Sequence, residues 1–208
     1  MRVGILALQG AFAEHAAMLA GLDAEAVPVR LPAHLEGLDG LILPGGESTS
    51  MRRLAGLTGL DSAMRAFGAE RPVWGVCAGL ILLAACIRDE DPCLGLLDIT
   101  VERNAYGHQQ ESFVADLYVS GLEKPGMPLQ GVFIRAPRVT RCGGGVQVLA
   151  QVQGQPVALR QGHILGSAFH PELTTDNRMH RYFLNMCVAG SAPKETSRDR
   201  GHDEVASG

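Results

Sequence analysis

The chain has 208 residues, 46% of them hydrophobic, and a formal charge of −4 from 18 basic and 22 acidic side chains. That length suits one sizeable core better than two small ones. A mildly acidic balance without a basic block gives no electrostatic reason to bind nucleic acid, and the longest apolar run, residues 80–87, is far short of the ~20 residues a membrane-spanning helix needs.

Residues 3–8 form a short apolar run that suits a buried strand. The run is too short for a secretory core, and Glu14 and His15 interrupt the segment after it, so no leader is expected and the cytoplasm is the expected location. Residues 12–22 carry a helical stripe of Phe12, Ala16, Leu19 and Ala20. A second strand is predicted at 41–43, followed by the Gly45-Gly46 turn and a helical region. Residues 60–67 put Leu60, Ala63, Met64 and Phe67 on one stripe. A strand at 73–76, a helix at 80–87 and a strand at 164–169 complete the pattern. Strands alternating with helices predict an α/β fold, a doubly wound and mostly parallel sheet with helices on both faces.

The middle of the chain differs. Residues 99–102, 113–119, 131–134, 146–151 and 157–159 read as short strands with turn signals between them, and Gly143-Gly144-Gly145 reads as a hairpin connection. This predicts an antiparallel elaboration of the same domain, which is set at residues 1–190. A last helix over 176–188 turns Tyr182, Phe183, Met186 and Cys187 inward. Residues 191–208 are polar and read as a disordered tail.

Five cysteines form an odd set without metal-type spacing, which predicts free thiols in a reducing compartment. One thiol stands apart. Val73-Trp74-Gly75-Val76-Cys77-Ala78-Gly79-Leu80 is a strand running into Gly-x-Cys-x-Gly with a helix behind it, the cysteine form of a nucleophile elbow. A sharp turn lifts the side chain clear of the sheet, and glycines let neighbouring backbone pass. The Ala78 amide is placed to meet an oxyanion, and a helix N-terminus favours thiolate. A buried structural cysteine is the ordinary reading of a lone thiol. It stands for Cys86, Cys93, Cys142 and Cys187, while strand, glycines and helix together reverse it for Cys77.

Phe169-His170-Pro171-Glu172 follows a predicted strand. A residue before proline is biased to extended backbone, and residues two apart in extended chain point to one side. Glu172 can therefore hold one imidazole nitrogen of His170 and leave the other for a thiol. Alone, this tripeptide is as well read as a surface turn; its weight comes from pairing with Cys77. The Gly45-Gly46 loop fits a simple tight turn as well as it fits an oxyanion loop, and Ser48 is the candidate cap of the next helix.

Several blocks, taken in order, resemble the class I glutamine amidotransferases over nearly the whole chain. They are Leu8-Gln9-Gly10-Ala11 with Glu14-His15, Leu41-Ile42-Leu43-Pro44-Gly45-Gly46-Glu47-Ser48-Thr49, and Gly75-Val76-Cys77-Ala78-Gly79-Leu80-Ile81. Val101-Glu102-Arg103-Asn104, Phe133-Ile134-Arg135-Ala136-Pro137 and Phe169-His170-Pro171-Glu172-Leu173 follow. Leu80 stands where many amidotransferases have Gln, as in the vitamin B6 branch, the glutaminase subunits of pyridoxal 5′-phosphate synthases.

The resemblance implies that Cys77 is the nucleophile of a triad with His170 and Glu172, acting on L-glutamine. It implies that Gly46, Glu47 and Ser48 line the glutamine site, with Gly46 and the Ala78 amide forming the oxyanion hole. Arg103, Ile134 and Arg135 would complete the site, where an arginine suits the α-carboxylate and a carboxylate and a carbonyl suit the ammonium. It implies a partner, the (β/α)₈-barrel synthase subunit, in a hetero-oligomeric complex, and neither cofactor nor metal. His15, His34, His108, His163, His180 and His202 receive no catalytic role. Among rival readings, a γ-glutamyl peptidase on the same scaffold leaves Arg103 and Ile134-Arg135 unexplained. A redox or stress protein leaves His170-Pro171-Glu172 unexplained, and a non-catalytic binding module does not need an intact triad.

Overall fold

A computed structural model describes residues 1–103 and 112–191. Of the disordered tail expected at 191–208, Ser191 instead ends the last helix, and residues 192–208, with His202, lie outside the described residues, as do Asn104 and His108.

A seven-stranded sheet organises the molecule. Its parallel centre consists of β1 (Arg2–Leu6), β3 (Gly40–Leu43), β4 (Val73–Val76) and β12 (Ile164–Ser167), with β2 (Glu25–Val29) at one edge. β3, β4 and β12 are buried at every residue and β1 at all but its first. Burial on both faces is why these strands read as unbroken apolar runs. Beyond β12, the antiparallel strands β11 (Gln155–Gln161) and β10 (Gln147–Val152) extend the sheet to its other edge.

Helices cover both faces. A Cβ on Gly40 would meet Cys187 and Phe183 of α5 (Arg178–Ser191), whereas Leu43, three residues on, meets Gly79 of α4 (Ala78–Leu83). Side chains alternate along a strand, so α5 and α4 lie on opposite faces. Trp74 of β4 packs on Phe183 and His180 of α5 and on His15 of α1 (Phe12–Ala20), which puts α1 with α5. Gly68 of α3 (Leu60–Glu70) meets Val73, on the face of α4. The remaining helix, α2 (Ser48–Thr58), follows β3.

The structure departs from the sequence reading in five further places. The predicted helix over 80–87 is α4 ending at Leu83, followed by β5 (Ala84–Ile87), which pairs with β6 (Leu97–Glu102). All six α4 residues are buried, so no polar face marked where the helix stopped. β2 was unread because it contains Pro28 and is largely solvent-facing, both tolerable at an edge. β9 (Arg138–Cys142) was unread because its pattern is polar; it pairs with β6. The Gly143-Gly144-Gly145 segment is not a hairpin: it carries the chain from β9 in a three-stranded sheet to β10 in the large one. On α1 the buried residues are His15 and Leu19, while Ala20 is exposed. The strands β7 (Ser112–Leu117) and β8 (Leu129–Ile134) form a separate antiparallel pair, as expected of the middle segment.

Candidate active site

Four chain segments converge past the carboxyl ends of the parallel strands, where α/β sheets hold ligands. Gln9 and Gly10 follow β1, Gly45 and Gly46 follow β3, Cys77 follows β4, and His170 follows β12. A cavity of about 340 Å³ opens between them. Cys77, Ala78, His170, Gly46, Glu47 and Ser48 line it, and Arg103, Ile134 and Arg135 close another side. Glu172 stands behind His170, with its side chain fully buried.

The Cys77 backbone has φ 49° and ψ −99°, a conformation that L-residues avoid. The turn passes neighbouring backbone closely on both sides of it. A Cβ on Gly79 would lie 1.9 Å from Leu43 O, and one on Gly75 would lie 2.5 Å from Gly79 O. The Cys77 amide donates to Ser167 O at 2.8 Å, which ties the turn to β12. Its Sγ lies 3.7 Å from Ile134 O. Arg135, next in the chain, also has a positive φ of 45°.

His170 Nδ1 and Glu172 Oε1 are 2.7 Å apart. Burial disfavours the charged imidazole, but hydrogen bonds to Cys77 and Glu172, and their negative charge, outweigh it and raise the His170 pKa to about 10. The other thiols are poorer nucleophiles. Burial raises the pKa of Cys93 and of Cys142, and pushes Cys187 up to about 12. Cys86 is exposed but stands on β5, away from the cavity.

The loop after β3 is held from two sides. Gly45 O accepts from Ala11 N–H at 3.1 Å, and Glu47 N–H donates to Gln9 Oε1 at 2.7 Å. Glu47, not Ser48, caps α2: its carboxylate accepts from Thr49 N–H at 3.0 Å and Ser50 N–H at 2.7 Å. Ser48 is the buried first residue of that helix. Hydrogen bonding to Ser50 outweighs partial burial and, with the Thr49 amide, brings the Glu47 pKa down to about 2. Arg103 bridges Glu47 at 3.3 Å, Glu90 at 2.8 Å and the Thr49 hydroxyl at 3.0 Å.

Sequence reasoning passed over His15. It lies 3.6 Å from Glu172 Oε2 and is completely buried. Its signal was its place four residues before Leu19, on the inward stripe of α1.

Known proteins resemble the chain over most of its length. The chain is 54% identical over 188 residues to the pyridoxal 5′-phosphate synthase subunit PdxT of Geobacillus kaustophilus, covering 89% of this chain and 94% of the relative. The crystal structure of a glutamine amidotransferase superposes with a TM-score of 0.84 at 50% identity, covering 89% of this chain and 98% of that one. A putative GMP synthase subunit from Thermoplasma acidophilum, at 18% identity, a TM-score of 0.66 and coverage of 91% and 94%, shares the fold. A family model matches residues 5–189. The chain belongs to the SNO glutamine amidotransferase family.

Proposed function

We propose that the chain hydrolyses L-glutamine to L-glutamate and ammonia as the glutaminase subunit of a pyridoxal 5′-phosphate synthase, and passes the ammonia to its synthase partner. The observation that carries this reading is that Cys77, on its strained turn, and His170 line one cavity, with the Glu172 carboxylate 2.7 Å behind the imidazole.

The chemistry follows from that arrangement. Cys77 Sγ attacks the side-chain amide carbon of glutamine. Negative charge gathers on the amide oxygen and is met by the Ala78 N–H and the Gly46 N–H. His170 gives its proton to the leaving nitrogen, and ammonia departs from a γ-glutamyl thioester. A water molecule then gives a proton to His170 and attacks the thioester, releasing glutamate and restoring Cys77. Glu172 keeps the imidazole in the working orientation. Arg103 and Arg135 receive the α-carboxylate, and Glu47 with Ile134 O receives the ammonium. Ser48 lines the same site.

Ammonia released to water becomes ammonium and loses its nucleophilicity. A (β/α)₈-barrel synthase subunit docked over the cavity would accept it under shelter. The Gly45 carbonyl is held by the Ala11 amide, and a partner that shifts Ala11 turns the Gly45–Gly46 peptide and completes the oxyanion hole. Cys77, Cys86, Cys93 and Cys142 carry thiols, which suits the cytoplasm. Ammonia and glutamate release from L-glutamine, measured for the chain alone and with saturating synthase subunit, tests the reading. Stimulation by the partner is expected. Inertness to glutamine with cleavage of γ-glutamyl peptides would replace the glutaminase with a peptidase.

A further inference from the structure

Behind the triad, three buried side-chain atoms have no hydrogen-bond partner among the described residues: Glu172 Oε2, His15 Nε2 and His180 Nδ1. Two of them face each other. His15 Nε2 lies 3.6 Å from Glu172 Oε2, and both side chains have no solvent exposure. The other nitrogen of His15, Nδ1, lies 2.9 Å from His180 Nε2. Trp74 packs edge-on against both rings, at 5.6 and 5.0 Å between centroids. Three separate elements, α1, α5 and the turn after β12, thus bring one carboxylate and two imidazoles together away from bulk solvent.

Proton placement follows from counting donors. A neutral imidazole has one N–H and one lone pair. If His15 carried its proton on Nδ1, its Nε2 lone pair would face the carboxylate, and His180 would bury an N–H at Nδ1 with no acceptor. If both rings carry the proton on Nε2, His180 donates to His15, His15 donates toward Glu172, and only a lone pair on His180 Nδ1 is left over. Buried N–H groups without acceptors are the rarer case, so the second arrangement wins.

We propose that His15 is a positioning residue for the triad, its Nε2–H clamping the free oxygen of Glu172, with His180 fixing the His15 tautomer. The proposal rests on the glutaminase reading above. Glu172 is then held on both oxygens, by His170 at Oε1 and by His15 at Oε2, and cannot rotate away from the imidazole it orients. A neutral donor suits this role better than a cation, which would discharge Glu172 and weaken its hold on protonated His170. The groups facing His15 are His180 from α5 and Glu172 and His170 from the turn after β12. Burial first, and the charges of His180 and His170, lower the His15 pKa well below the ordinary value, in keeping with a neutral ring. At 3.6 Å the contact is longer than a hydrogen bond, so the clamp requires it to shorten in the substrate complex, as catalytic hydrogen bonds often do.

The test compares variants of the full chain, each with saturating synthase subunit. His15→Leu keeps apolar volume and removes the donor, while His15→Gln returns an N–H. His15→Leu is expected to lower kcat on the order of ten- to a hundredfold, by analogy with residues that orient metal-binding histidines and carboxylates, with KM for glutamine unchanged. His15→Gln is expected to recover most of the loss. Unchanged kcat in folded His15→Leu, or a His15→Gln no better than His15→Leu, overturns the proposal while inactive Cys77→Ala leaves the glutaminase reading standing. Active Cys77→Ala sinks that reading instead. Nitrogen NMR of the unsubstituted chain decides without a variant. Both rings are expected neutral with the proton on Nε2 at neutral pH, and a His15 protonated on Nδ1 overturns the clamp.

Discussion

Gly45 stands directly against the imidazole of His170: a methyl group there would lie 2.3 Å from Cε1 and 2.9 Å from Nδ1. The glycine after β3 therefore makes room for the histidine after β12. Gly45→Ala must displace the ring or the loop. A displacement of about 1 Å at a reacting group costs on the order of 10²-fold. Ammonia release by Gly45→Ala is expected to fall by about that factor while circular dichroism stays unchanged. Full activity would show that His170 need not stay where it is.

The strain at Cys77 is separable from its chemistry. A left-handed φ costs a residue with a Cβ about 1 kcal/mol more than it costs glycine. Cys77→Gly is therefore expected to unfold at a higher temperature than Cys77→Ala, by roughly 2–4 °C for a chain of this size. Scanning calorimetry of the two inactive variants measures it, and a lower midpoint for Cys77→Gly would mean that the turn is not strained.

The buried imidazoles give the fold a pH dependence with opposite signs on its two sides. Burial brings the His180 pKa down from 6.5 to about 4. The unfolded chain accepts a proton that folded His180 refuses, so stability is unaffected above pH 6.5 and falls as pH drops from 6.5 toward 4, by on the order of 3 kcal/mol from this group. His170, raised from 6.5 to about 10, works the other way. Its contribution is fully present below pH 6.5 and is lost as pH rises from 6.5 toward 10. Urea unfolding across this range is expected to show a decline on each side, with the acid decline flattened in His180→Gln. An acid slope identical in His180→Gln would remove His180 from the account.

Within the triad the three members are unequal. His170→Ala removes the proton carrier and is expected to cost 10²–10⁴-fold or more. Glu172→Gln keeps part of the orientation through its carbonyl oxygen and is expected to cost less. Steady-state rates of the two variants check the order, and a larger loss in Glu172→Gln would make Glu172 more than an orienting group.

Much of this was legible in sequence because the parallel strands are short, buried on both faces and punctuated by glycine. The elbow announced Cys77, since Gly75 and Gly79 flank it where backbone carbonyls come within reach of any side chain. His170 and Glu172 were legible as a pair, though not as extended chain: Pro171–Leu173 form a 3-10 turn after His170, and that turn brings the Glu172 carboxylate to Nδ1. Glu47 was expected beside the cavity but not as the cap of α2, because its reach back to Thr49 and Ser50 depends on how Gln9 holds the loop. His15 and His180 were illegible as partners of Glu172. They are 165 residues apart, and only the packing of α1 and α5 on Trp74 brings them together. Both β2 and β9 were missed as edge strands, β2 because Pro28 interrupts it and β9 because its residues are largely polar.

Glutamine hydrolysis by Cys77→Ala and Cys86→Ala, each with saturating synthase subunit, tests the central claim most directly. Cys86 is an exposed thiol and Cys77 the one on the elbow. Cys77→Ala is expected to release no ammonia above background, Cys86→Ala to match the unsubstituted chain, and an alkylating glutamine analogue to label Cys77 once. Ammonia release at the full rate from Cys77→Ala would contradict the account.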